Sequence, residues 1–463
     1  MNRATFSPPR LQSLRSVLSE HVDQGQMPGL VALVSRHDDV HVFELGSLSF
    51  GSPRPMRRDS LFRIASLTKL VTAVAAMMLV EECRVRLDDP VEQWLPELAN
   101  RRVLKSLDSD LDDTVPAHRA ITARDLFTSC MGFGSVMAAP GTHAIQQAIR
   151  ELQIGGDGPP LPSRLPGMDE WLKRLGSLPL LAQPGERWMY HTSSDVLGAL
   201  IARVSGQTLG QFMRERIFDP LGMKDTGFAL LPGRDDRLPV AYLPRADGIG
   251  FDIYDEAADS TWRHPAMELG SGGLLSTLDD YHRFLSMMLG NGRLGSVEVL
   301  SRSSIELMTQ DHLRPSQRQG AEPFFGDHSS WGLGFSVGVR RSQLYQRPGR
   351  FGWDGGLGLS AYVDPAESLV GILFHAAARH FTRTSEGLHG LLDRGVCSVG
   401  LMQVAFLPLT IALDLANRRR NERRPASRAT RAHAYGSSKP SPASTSVSRA
   451  SMAAASGPSS SWS

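Results

Sequence analysis

The chain has 463 residues, 41% hydrophobic and 21% charged, with 44 Gly and 29 Pro, enough for one large domain or two intimate ones with a substantial core. Its formal charge of +2 is unevenly spread: residues 418–463 carry eight Arg and one Lys against Glu422 alone, so the rest of the chain is net acidic. That excludes the basic footprint of a nucleic-acid binder, and the three scattered cysteines exclude a disulfide framework.

The first 22 residues, MNRATFSPPRLQSLRSVLSEHV, contain no apolar stretch of the secretory kind, so the expected location is the cytoplasm. Residues 11–22 read as a short helix. GLVALVSR and VHVFELG follow as two strands around a polar turn. Residues 67–82 have apolar positions at 70, 71, 74, 77, 78 and 79 and no Gly or Pro, which predicts a mostly buried helix.

Residues 88–227 hold helix-like pieces (ITARDLF, MDEWLKRL, SDVLGALIARVSG), and residues 150–167 read as a long loop. GSGGLLSTLDDYHRFLSMML is a Gly-rich turn leading into a helix with Thr277 as its cap. WGLGFSVGV, LGLSAYVD and SLVGILFHA read as strands, the last two joined as a hairpin at Asp364-Pro365.

Two segments close the chain. Residues 396–413 are an uncharged run of 18 interrupted by Gly400, Gln403 and Pro408, read within 396–417 as a buried or amphipathic terminal segment rather than a membrane anchor. Residues 418–463 are Arg/Ser/Ala-rich without periodicity, the composition of a disordered basic tail. The fold class expected is α/β of the α+β type. An antiparallel sheet from N- and C-terminal strands, flanked by helices, forms a discontinuous domain (1–88 and 265–395), and a mostly helical domain (89–264) is inserted into it. The junction of two such domains is a natural cleft.

The stretch SLFRIASLTKLVT holds the first chemical signal. Only five of the chain's residues are lysine, yet Lys69 stands inside an apolar run three residues after Ser66. On a helix, i and i+3 share a face. An amine desolvated there loses proton affinity and can take the proton of a neighbouring hydroxyl, while the helix N-terminus offers N–H groups to a developing oxyanion. A capping serine and a lysine whose stem packs beneath a solvated amine would give the same spacing, so the motif needs context.

The context is a resemblance. SLFRIASLTKLVTA, LDDPVEQWLPEL, ITARDLFTSCMGFG, PGERWMYHTSSDVLGALI, LGMKDTGF, GSGGLLSTLDDYHRFLSMML, WGLGFSV and FGWDGGLGLSAYVDP together closely resemble the serine β-lactamase and penicillin-binding superfamily, class C-like, in that family's order over residues 8–390. The nearest pattern is its family VIII carboxylesterase branch. The resemblance implies a β-lactamase/transpeptidase-like fold with Ser66 as nucleophile and Lys69 as base. The family's Tyr-x-Asn is matched by Tyr190-His191-Thr192, which implies that Tyr190 exchanges protons with nucleophile and leaving group. A phenol bonded to a lysine ammonium would have a lowered pKa and serve as base, then acid. Thr192 departs from the family's Asn at a substrate-contacting position.

Where β-lactamases carry Lys-Thr-Gly, this chain has Trp353-Asp354-Gly355-Gly356, similar to the Trp-Gly-Gly of the esterase branch. Trp353, Asp354 and Gly355 are the expected substrate-side residues, and the backbone N–H of Gly356 (or Leu357) with that of Ser66 the expected oxyanion hole. The missing lysine would have held a substrate carboxylate; Trp353 offers an apolar wall, and Arg350 is the candidate substitute cation. There is no Gly-x-Ser-x-Gly elbow. No metal or organic cofactor is implied. The reading is a serine hydrolase acting on a small-molecule ester or amide, foremost a carboxylesterase of small neutral esters. The alternatives are a β-lactamase or D-alanyl-D-alanine carboxypeptidase and, from another class, an acyltransferase or a non-catalytic acyl-binding relative.

Overall fold

The computed structural model describes residues 6–378 apart from 156–157, 246 and 342–345; the segments 396–417 and 418–463 lie outside these. Seven strands form the main sheet: β1 (Gly29–Arg36), β2 (Asp39–Gly46), β3 (Ser329–Trp331), β4 (Ser336–Gly338), β5 (Phe351–Gly355), β6 (Leu359–Asp364) and β7 (Leu369–His375). Their order is β3-β4-β5-β6-β7-β1-β2, antiparallel throughout. The two ends of the sequence meet where β1 pairs with β7, with Leu33 opposite Ile372.

Every residue of β1 and of β7 is buried, so both faces of the sheet centre are covered. Side chains alternate across a strand: Leu30, Ala32 and Val34 pack with Leu14 and Leu18 of α1 (Pro8–Asp23), whereas Val31 and Leu33 belong to the larger core on the other face. That core is centred on α2 (Thr68–Glu81), in which all residues from Thr68 to Leu79 are buried. Each fully buried Leu, Val or Met contributes about 1.5–3 kcal/mol of transfer free energy. A helix apolar on all sides has no place but the centre.

Ahead of α2 the chain makes a single 3-10 turn, Ala65–Leu67, so Ser66 lies just before the helix rather than in it. Neighbouring residues clamp this turn. Ile64 N–H donates to Leu274 O (2.9 Å), Leu274 N–H to Thr68 Oγ1 (3.2 Å), and the Tyr281 hydroxyl to Leu67 O (3.0 Å). Ala65 sits at φ +45°, a left-handed conformation that costs a non-glycine residue on the order of 1–3 kcal/mol and persists where the surroundings over-determine it.

The middle of the chain is mainly helical: α3 (Ala123–Phe127), α4 (Ala144–Glu151), α5 (Met168–Ser177) and α6 (Ser193–Ser205). Two small strand pairs interrupt it, Arg102–Leu104 with Thr114–Pro116 and Ala241–Pro244 with Phe251–Asp255. The buried face of α6 joins α2 in one apolar cluster. The helix α7 (Leu278–Leu289) begins at Thr277, whose hydroxyl accepts from Asp280 N–H. Among the described residues no helix is long and apolar enough to cross a membrane.

The stretch WGLGFSVGV departs from expectation: it is two strands, β3 and β4, joined by a tight turn in which Gly332 N–H donates to Phe335 O at 2.7 Å. The reason is Gly334, at φ +91°, where a Cβ would lie 2.1 Å from that of Ala73 on α2. The turn brings the chain so close to α2 that only a glycine fits at this position.

Candidate active site

Ser66, Lys69, Tyr190 and Trp353 converge between α2, the start of α6 and the end of β5. Lys69 Nζ donates to Ser66 Oγ at 3.0 Å and to Ser271 O at 2.6 Å. The side chain is 2% exposed. Burial pushes its pKa down from 10.5 to about 7, against a smaller upward pull from Asp195. At neutral pH a large fraction of the amine is therefore unprotonated and within reach of the Ser66 hydroxyl.

Tyr190 departs from the expectation of a lowered pKa. Lys69 Nζ lies over its ring, 4.5 Å from the centroid, while the amine's hydrogen bonds go to Ser66 and Ser271. Burial raises the phenol to about 12, although hydrogen bonds with Ser66 and Trp353 favour its ionised form. The Trp353 indole Nε1–H donates to the Tyr190 hydroxyl oxygen at 2.9 Å. Tyr190 thus remains a phenol at neutral pH and is placed to give a proton rather than to take the first one.

An aromatic wall surrounds this pair. Trp188 and Phe324 lie 5.6 and 5.0 Å from the Tyr190 ring, and Trp331 packs edge-on to Trp353 at 4.9 Å. Such a wall lowers the local polarity and strengthens the polar interactions it flanks.

The other expected residues divide. Gly355 brings the end of β5 against the nucleophile segment: a Cβ there would be 2.9 Å from Ile64 O, so any side chain would force the two apart. Gly356 follows the strand and is exposed, and a Cβ there would meet nothing within 4 Å. Thr192 is buried and immediately precedes α6.

Asp354 was expected on the substrate side with Trp353. It follows Trp353 in β5 and so points to the opposite face, where Ser360 and the Tyr362 hydroxyl (2.8 Å) donate to its carboxylate. Arg350 belongs to that face too, with its guanidinium 3.9 Å from the Tyr362 ring centroid. The arginine considered as a substitute cation is stacked away from Tyr190.

Two residues escaped the sequence reading. Asp195, buried in the first turn of α6, accepts the Ser271 N–H at 2.8 Å. Ser271 in turn holds Lys69 through its carbonyl. An acid five residues after Tyr190, inside an otherwise apolar helix face, was the available signal. Gly270, beside Ser271, is pinned from α2, since its carbonyl accepts the Thr72 hydroxyl at 2.8 Å.

Comparison with known proteins identifies the family. The family model described as Beta-lactamase matches residues 14–391. The chain is 35% identical over 372 residues to Rv1367c of Mycobacterium tuberculosis, covering 78% of this chain and 88% of that one. It is 29% identical to the esterase EstB of Burkholderia gladioli, over 78% of this chain and 88% of the relative. Among solved structures, EstCE1, a hydrolase with promiscuous acyltransferase activity, superposes with a TM-score of 0.67 at 26% identity, over 81% of this chain and 95% of that one. The chain belongs to the beta-lactamase family, within the serine β-lactamase and penicillin-binding superfamily that includes esterase relatives.

Proposed function

We propose that the protein is a carboxylesterase that cleaves small neutral esters through an acyl-serine intermediate. The observation that carries this reading is Lys69 Nζ at 3.0 Å from Ser66 Oγ in a site where the amine is nearly fully buried. Neutral Lys69 takes the Ser66 proton as the hydroxyl attacks the acyl carbon. The N–H groups of Ser66 and Gly356 receive the oxyanion. Tyr190 gives its proton to the departing alkoxide, and the Trp353 N–H stabilises the phenolate so formed. The proton held by Lys69 restores Tyr190, and the same groups run in reverse to activate the water that releases the acyl group.

Trp353 and Arg350 favour the ester over the β-lactam. The position at which β-lactamases present a cation holds an indole engaged with Tyr190, and Arg350 is stacked on Tyr362. The esterase EstB and the lovastatin esterase of Penicillium rubens, 29% identical, are relatives whose names accord with this choice. Acyl transfer is the second reading, favoured by the likeness to EstCE1; an acceptor alcohol replacing water needs no other residue. A helical lobe at 89–264 forming the second wall of the cleft, and a cytoplasmic location, are part of the same proposal.

The test is the intact mass after incubation with a fluorophosphonate. One adduct on the wild type and none on Ser66→Ala is expected. Labelling that persists in Ser66→Ala would remove Ser66 from the chemistry.

A further inference from the structure

We propose that Asp195 is the positioning residue for Lys69: its carboxylate fixes the Ser271 main chain that grips the amine and supplies the buried counter-charge that keeps it over Ser66. The inference rests on the serine-hydrolase reading and adds to it the group that governs the base.

The geometry runs through one residue. Asp195 Oδ1 accepts Ser271 N–H at 2.8 Å, and Ser271 O accepts Lys69 Nζ at 2.6 Å. Acid and amine therefore hold opposite edges of the same short segment, and a shift of either moves the other. Asp195 is 3% exposed, and a carboxylate in that position costs free energy unless bonded and balanced by charge.

A helix-capping role would look different. Asp195 is the third residue of α6, where an acid ordinarily reaches back to the N–H of the residue before the helix. Here Thr192, at that position, takes part in no such box, and the carboxylate turns outward to Ser271, 76 residues away in sequence. Packing supports the same contact: Gly270 lies so close to α6 that a Cβ there would be 2.4 Å from Ser194 O.

Among the described residues, the charged and titratable groups facing Lys69 are few. Tyr190 covers it with its ring. His191 places Nδ1 3.7 Å from Asp195 Oδ2. Asp354, on the far face of β5, acts on Tyr190 by field alone. Of these, Asp195 is the one whose negative charge raises the proton affinity of Lys69.

The experiment is the pH dependence of fluorophosphonate labelling at Ser66, with p-nitrophenyl acetate kcat/KM recorded alongside. Labelling requires unprotonated Lys69, so its rate falls on the acid side as Lys69 takes up a proton. Asp195→Asn keeps an acceptor for Ser271 and removes the charge; Asp195→Ser is a second neutral variant of smaller volume. The acid midpoint should move to lower pH by about one unit or more in a neutral variant, with a lower plateau rate, whereas Asp195→Glu should keep the midpoint. The same displacement should appear in a His191→Gln background.

A folded neutral variant with an unmoved midpoint, or a displacement that vanishes in His191→Gln, would overturn the inference and leave the nucleophile assignment standing. A wild type that the probe does not label would overturn both.

Discussion

The Trp353 indole N–H points at the Tyr190 hydroxyl oxygen from 2.9 Å, so the residue standing where β-lactamases have a lysine keeps one of the things a cation does there. It donates a hydrogen bond to the oxygen on which negative charge develops, without adding a positive charge to the cleft. Trp353→Phe removes that donor and preserves an aromatic ring. A hydrogen bond to a charged group is worth about 1.5–3 kcal/mol, and each 1.36 kcal/mol is tenfold in rate. The expected result is a kcat lower by about 10- to 150-fold with fluorophosphonate labelling of Ser66 retained. An unchanged kcat would mean that the indole only packs.

Lys69 tests the base. Arginine keeps the charge but does not deprotonate, so Lys69→Arg should lower p-nitrophenyl ester turnover by about 10²-fold or more. Near-normal turnover would make the lysine structural.

The same residue makes a prediction about stability. Lys69 has a proton affinity lowered from 10.5 to about 7 on folding, so above pH 7 the unfolded chain binds more protons there than the folded one. Stability then rises with pH across that window, and below pH 7 the full cost of a buried ammonium is present. Lys69→Met should therefore raise the melting temperature at pH 6, and the advantage should shrink toward pH 9. Melting curves at the two pH values check this. A methionine variant that melts lower at pH 6 would mean that the lysine's hydrogen bonds outweigh its desolvation.

What the sequence revealed and concealed follows from the range of each interaction. Ser66 and Lys69 are three residues apart across the turn into α2, so they are neighbours in the chain itself, and Tyr190 was reached through its flanking residues. The sheet joining β1 to β7 was foreseeable because alternation and apolar runs mark the strands at both ends. The facing of Asp354 was not, since one residue of register along β5 decides whether a side chain meets Tyr190 or Ser360. Nor was the link from Asp195 to Lys69, which passes through the backbone of Ser271, where side-chain identity leaves no trace. The fold-back at Gly334 depends on Ala73, 261 positions earlier in the chain.

That contact can be tested alone. Gly334→Ala places a methyl group 2.1 Å from the Ala73 Cβ on a residue at φ +91°, combining overpacking with backbone strain. A destabilisation of about 2–4 kcal/mol is expected, read from urea denaturation. Ala73→Gly should recover part of it by removing the steric half. No recovery would assign the whole cost to backbone conformation.

The choice between ester and β-lactam rests on charge. A substrate carboxylate brought into this aromatic cleft without a cationic partner is left unpaired, at about 2–5 kcal/mol, which is roughly 30- to 5,000-fold in rate. An uncharged short-chain ester carries no such penalty and gains contact with the Trp353 and Phe324 rings. The kcat/KM for p-nitrophenyl butyrate should therefore stand well above that for benzylpenicillin, and the ratio of the two cancels any error in active-site concentration. Trp353→Lys should narrow the ratio from both sides, by supplying the missing cation and by removing the apolar surface. A wild type that prefers the penicillin would show that a cation other than residue 353 reaches the carboxylate. Arg350 would then have to leave the Tyr362 ring to do so, and an Arg350→Ala variant that lost the penicillin activity while keeping the ester activity would locate it.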